Sequence, residues 1–142
     1  MSIQLSLLDR YGNVHEQAGL NWGYSYWHVS YEDAYIPLKT STIRNNPCFF
    51  SPISQENIIY VTWDDGVVMK CLLEGRQEVN NVIYAKQISS HNDKSLIGHY
   101  LRQRLNVFNR RITLDDLNNY GRTDITATKI DNTHYHFDFS VN

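Results

Sequence analysis

Asn57-Ile58-Ile59-Tyr60-Val61-Thr62-Trp63 and Val67-Val68-Met69-Lys70-Cys71-Leu72-Leu73, joined by Asp64-Asp65-Gly66, decide the fold class of this 142-residue chain. Both runs are rich in β-branched and aromatic residues, which suit a pleated, half-buried surface. Asp-Gly supplies the positive φ angles of a tight turn, so the stretch predicts a β-hairpin. Working outward, Ile3, Leu5 and Leu7 alternate with polar neighbours at the period of a strand. Residues 80–87 predict another strand. Residues 123–130 and 133–139 predict a closing hairpin around Asp131-Asn132.

Two helices interrupt this pattern. Ser95 is placed to cap the first, where Leu96, Ile97, Tyr100, Leu101 and Leu105 form an apolar stripe and Arg102 falls off it, toward solvent or a ligand. Thr113 is placed to cap the second, with Asp116 in the capping-box position and Gly121 at its end. The expectation is a mostly β chain: a seven-stranded barrel or open pseudobarrel with two short α-helices, ahead of a flat sandwich. Without repeats or low-complexity tracts, residues 1–142 read as a single domain.

The N-terminus lacks the basic start of a signal peptide, and no apolar run is long enough to span a bilayer. Cys48 and Cys71 have no ligand-spaced partners and read as buried free thiols in a reducing cytosol. The net charge is −2, but its distribution is uneven. Residues 1–84 carry a net −4, residues 85–111 a net +5, and residues 112–142 a net −3. A confined basic patch on an acidic body suits a polyanion binder that must release wrong targets. It also suits a plain solvated helix face.

The motifs of two common nuclease chemistries, His-x-Lys and (Asp/Glu)-x-Lys, are missing. No histidine has a lysine two residues after it, and no lysine has an acidic residue two before it. His134, His136 and Asp138 share one face of the last strand and form the best metal-site candidate, a basis for a small metal hydrolase. Tyr135, Phe137 and Phe139 alternate with them as core, which makes that face the wet side of the barrel, and neither metal nor cofactor is expected. Asp64 and Asp65 are explained by their turn.

Binding features are richer. Trp22, Tyr24, Tyr26, Trp27, Tyr31 and Tyr35 are interleaved with Asn21, Ser25, His28, Glu32 and Asp33, and Gly19 and Gly23 mark a loop. Rigid aromatic area mixed with hydrogen-bonding groups is typical of a recognition surface, although Trp22 and Tyr35 read as structural. The loop Ser89-Ser90-His91-Asn92-Asp93-Lys94, just before a helix carrying Arg102 and Arg104, offers a second set of donors and acceptors.

Several spaced motifs resemble one family. They are Gly19-Leu20-Asn21-Trp22-Gly23, Ala34-Tyr35-Ile36-Pro37, Asp64-Asp65-Gly66, and Ile97-Gly98-x-Tyr100-x-Arg102-x-Arg104-Leu105. Ile112-Thr113-x-x-Asp116-Leu117-x-x-Tyr120-Gly121-Arg122-Thr123-Asp124, Lys129-Ile130-Asp131 and Phe137-Asp138-Phe139-Ser140 follow in order. Together they are similar to the C-terminal B3-like DNA-recognition domain of phospholipase-D-type (type II/IIS) restriction endonucleases. The resemblance implies a seven-stranded pseudobarrel that grips duplex DNA with two major-groove arms.

Carried over, one arm is Asn21 to Asp33, with Asn21, Tyr24, Ser25, Tyr26, Trp27, His28, Glu32 and Asp33 as contacts. The other is Gln87 to Lys94, with Gln87, Ser89, Ser90, His91, Asn92, Asp93 and Lys94. Arg102 and Arg104 would anchor phosphates, unless one is an ion-pair partner within the fold, and N–H groups at Ser95 would add a contact. The implied setting is the bacterial cytoplasm, away from membranes, beside a nuclease domain or subunit in cis or trans. Where the family carries Gln and basic residues, this chain has Tyr24-Ser25-Tyr26-Trp27-His28, so no target sequence transfers. The alternative is an aromatic platform for single-stranded nucleic acid or carbohydrate.

Overall fold

A computed structural model describes residues 1–28, 30–53 and 57–142. The central hairpin forms as its sequence dictates. β3 (Ile58–Trp63) and β4 (Val68–Glu74) pair antiparallel, with Ile59, Val61 and Trp63 facing inward from β3 and Met69, Cys71 and Leu73 from β4. β1 (Ser2–Ser6), β8 (Asp124–Lys129) and β9 (His134–Asp138) build outward on one side, and β7 (Gln87–Ser90) and β2 (Ile36–Pro37) on the other. The order β1-β8-β9-β3-β4-β7-β2 makes a seven-stranded mixed sheet, antiparallel except for β9 against β3. It curls into a nearly closed pseudobarrel. Its two edge strands approach each other, and Lys39, just beyond β2, reaches Ser6 Oγ at the end of β1.

Trp63, Tyr135, Phe137, Phe139, Ile88 and Leu5 fill the interior, closed at one end by Ile97 and Leu101. Alternation on β9 puts Tyr135 and Phe137 inside, with His134, His136 and Asp138 on the outer face. There, His134 stacks on Tyr60 and hydrogen-bonds Asp131, while the Asp138 carboxylate accepts from Ser140.

Several expectations need correction. The strand at residues 80–87 is divided: β5 (Gln77–Val79) and β6 (Val82–Tyr84) form a separate hairpin, and the chain then enters β7. Asn80 and Asn81 make its turn with φ of 52° and 67°, a geometry asparagine tolerates better than most residues. Helix α1 (Thr40–Asn45) and a 3₁₀ segment at Gly19–Tyr24 were not foreseen, the latter where a loop was expected. Cys48 is exposed; Cys71 is buried, which pushes its thiol up to about 12.

Helix α2 (Lys94–Leu105) begins two residues earlier than a Ser95 cap implies. Asp93, rather than Ser95, is its cap, with Oδ1 accepting from Ser95 N (2.9 Å) and Ser95 Oγ (2.6 Å). Helix α3 (Leu114–Tyr120) has the Thr113/Asp116 capping box and ends at Gly121, as read from the sequence. Among the described residues, no helix is long and apolar enough to cross a membrane.

Candidate nucleic-acid interface

Residues 19–28 and 30–34 leave the barrel as a braced loop, here arm one. Its base is closed by Tyr35 N donating to Gly19 O (3.1 Å) and Gly23 N donating to Asp33 O (2.8 Å). Gly23 is required because the returning chain crosses it: a Cβ there would lie 2.4 Å from Ser30 O. Asn21 is 1% exposed and ties the loop to the distant residue 112. Its Nδ2 donates to the carbonyls of His15 (2.9 Å) and Ile112 (2.8 Å), and its Oδ1 accepts from Ile112 N (2.8 Å).

The aromatics of arm one divide into two sets. Trp22 packs edge-on against Tyr35 and His28, and His28 Nδ1 lies 2.8 Å from Asp33 Oδ2, which stiffens the return of the loop. Tyr24 stacks on the Tyr31 ring, and the Arg111 guanidinium lies over the Tyr24 ring. Ser25 Oγ donates to Trp22 O. Tyr26 and Trp27 form the tip, 85% and 99% exposed, and Trp27 holds φ at +74°.

Arm two is β7 and the turn behind it. Lys94 Nζ donates to Glu74 Oε1 and to Ser89 Oγ, and Ser89 itself donates to Glu74. Ser90 Oγ donates to Asp93 O and accepts from Ile97 N. Those serines are buried and locked. Gln87 and His91 are half-buried, whereas Asn92, in the left-handed region at φ +64°, and Asp93 are exposed. Lys70 of β4 stands beside this turn, its carbonyl accepting from His91 N.

The two arms are physically joined. Ala34 N donates to Lys94 O (3.2 Å), and His99 on α2 meets Glu32 of arm one, Nδ1 to Oε2, at 2.6 Å. At Gly98 the backbone of arm one rests on the helix itself: a Cβ there would sit 1.6 Å from Glu32 O. Helix α2 therefore ties arm one to the end of arm two.

Neither predicted arginine lies free on it. Arg102, expected to face solvent, is 2% exposed; its Nη1 donates to Arg110 O (2.7 Å) and Val107 O, holding the chain that follows α2. Arg104 pairs bidentately with Asp64 (3.2 and 2.9 Å) and donates to the hydroxyls of Tyr100 and Tyr120. Burial pushes the Asp64 carboxyl up, but the Arg104 fork and Phe139 N outweigh it and hold its pKa below the usual value. The Asp64-Asp65-Gly66 turn is thus the socket of a structural arginine.

Over residues 1–131 the sequence matches the NgoFVII C-terminal B3-like DNA-binding domain. The chain belongs to this family. No curated protein matches it. As a B3-like domain of the kind found at the C-terminus of the restriction enzyme NgoFVII, it is a DNA-binding domain, and its nearly closed seven-stranded pseudobarrel agrees with that assignment. Sequence reasoning passed over Lys70, which stands beside arm two, and Arg111, which lies over Tyr24 of arm one. The signals were the pairing partner of β7 and an arginine next to the motif Ile112-Thr113.

Proposed function

We propose that this B3-like domain is the sequence-reading part of a restriction endonuclease, gripping the major groove of duplex DNA between arm one and arm two. The supporting observation is the splice between the arms: Ala34 on Lys94 and Glu32 on Gly98 fix their spacing before DNA arrives. Preorganised loops do not spend binding energy on ordering. The major groove is the place where all four base pairs present distinct edges.

Within this reading the predicted contacts take different roles. Tyr26 and Trp27 bring aromatic area, while Gln87, His91, Asn92 and the free oxygen of Asp93 offer donors and acceptors to base edges. Asn21, Ser89, Ser90, Asp33 and Lys94 act behind the surface by holding both arms in place. Phosphate anchoring passes from Arg102 and Arg104 to Lys70 and Arg111, both exposed. Cleavage belongs to a nuclease domain or subunit in cis or trans, acting in a bacterial cytoplasm.

The test is selection from a randomised duplex library, followed by affinity measurements across salt concentrations. Enrichment of a short asymmetric site, bound far more tightly than random duplex, is expected. Absence of enrichment, with equal or better binding to single strands, would replace this reading with an aromatic platform for unpaired strands.

A further inference from the structure

Glu74 ends β4 where that strand meets the start of β7, its backbone paired with Gln87 and its carbonyl accepting from Lys86 N (2.8 Å). Its carboxylate is occupied by arm two. Oε1 accepts from Lys94 Nζ and from Ser89 Oγ, and Lys94 Nζ also donates to Ser89 Oγ (3.0 Å), which closes a triangle. Burial pushes the Glu74 carboxyl up, but these hydrogen bonds outweigh it and hold its pKa below the usual value. The contact is thus an ion pair at neutral pH, stronger than a hydrogen bond between neutral groups.

Two roles meet at Lys94. Its carbonyl accepts from Ala34 N (3.2 Å), so the residue that Glu74 holds is one on which arm one rests. Its side chain, 29% exposed, belongs to the residue next to Asp93 and Asn92, the exposed groups that the function above aims at base edges. A lysine left unpaired there carries a compact charge on a flexible stem and follows any phosphate within reach. Phosphate contacts carry no sequence information. At the selected site, swinging Lys94 out undoes the triangle that seats both arms. On random DNA no seat is needed, and the swing brings affinity alone. A free Lys94 therefore favours wrong sequences.

We propose that Glu74 is a specificity-determining residue: its carboxylate keeps Lys94 seated between the arms and withholds that cation from the DNA backbone. Glu74 itself touches no DNA. It acts through Lys94, as a positioning residue and as an internal counter-ion. This inference rests on the duplex-reading function proposed above.

The experiment uses the whole chain, its selected duplex site and a random duplex, each titrated across salt concentrations. Glu74→Gln keeps an acceptor for Ser89 and Lys94 but removes the charge. It should bind random duplex about fivefold more tightly, with a salt slope steeper by about one, the signature of one added phosphate contact. Its preference for the selected site should fall at least about fivefold. Adding Lys94→Met to Glu74→Gln should remove the extra slope, which a merely structural role for Glu74 would not produce. Lys94→Met alone should lose affinity for the selected site while keeping the wild-type salt slope.

A folded Glu74→Gln whose slope and random-duplex affinity match the wild type would overturn the role of Glu74. So would a Lys94→Met slope shallower by about one, because Lys94 would then already lie on the backbone; this second result decides the matter if Glu74→Gln does not fold. Either leaves the sequence-reading function intact. Absence of a preferred duplex site for the wild-type chain would overturn both.

Discussion

Trp27 shows how residue-scale cost and function are linked in this molecule. An L-residue in the left-handed region loses about 1–2 kcal/mol, and an indole left 99% in water returns nothing for it. Trp27→Gly should therefore raise stability by roughly 0.5–1 kcal/mol in urea unfolding, after allowance for glycine's freedom in the unfolded chain. The same variant should lose at least about tenfold in affinity for the selected duplex. Unchanged affinity would remove Trp27 from the interface. Asn21 makes the opposite point. Its sequence context read as a base contact, yet its amide closes three hydrogen bonds with His15 and Ile112 inside the protein. Composition marks a polar residue among aromatics; only the path of residues 109–112 beneath the arm tells which way it faces.

Elements were legible in proportion to how local their causes are. The Asp64-Asp65-Gly66 hairpin and the α3 capping box formed as read, because turn and cap chemistry lie within four residues. The 80–87 strand failed because its β-branched residues outweighed Asn80-Asn81 in the reading, whereas the backbone followed the turn. Arg102 failed for a tertiary reason: the chain after α2 folds back over that face and offers carbonyls to it.

Two predictions belong at the element scale. Gly98→Ala places a methyl group on the Glu32 carbonyl, so arm one must lift from α2. It should destabilise by about 1–3 kcal/mol and weaken duplex binding, while random-sequence binding changes less. Hydrogen exchange in residues 30–35 would report the lifted arm. At the α3 cap, Arg110 and the Thr113 backbone hold the Asp116 carboxyl at about 2, against a smaller opposing push from burial. The unfolded chain, with its carboxyl near 3.8, binds the proton first as pH falls. The cap's contribution is thus complete above pH 4 and lost between about 4 and 2. Asp116→Asn should cost about 1 kcal/mol at neutral pH and make acid unfolding less steep.

At the scale of the molecule, charge is spent before DNA arrives. The basic segment 85–111 suggested a phosphate-gripping strip, but Lys94, Arg102, Arg104 and Arg110 all have internal partners. A net charge of −2, with Lys70 and Arg111 as the exposed cations assigned to the backbone, implies few counterions released. The slope of log affinity against log salt should be shallow, about −2 to −3. A slope near −6 would mean that the paired arginines swing out to the backbone. Selectivity in such a protein comes from base edges and shape rather than from electrostatic grip.

The strand order carries a further consequence, in time rather than in space. Ser2 of the first strand pairs with Thr128, and β9, at residues 134–138, is the seam between β8 and β3. Within this domain β1 is made before the other strands and waits, its edge unpaired, until β8 has followed. The hairpin β3–β4 is a local nucleus, but the barrel cannot knit around it until β9 slides in parallel beside Tyr60 to Trp63. Folding is paced by long-range closure and falls among the slower, millisecond-to-second class. Residues through Asp138 must be made before either arm has a barrel to stand on.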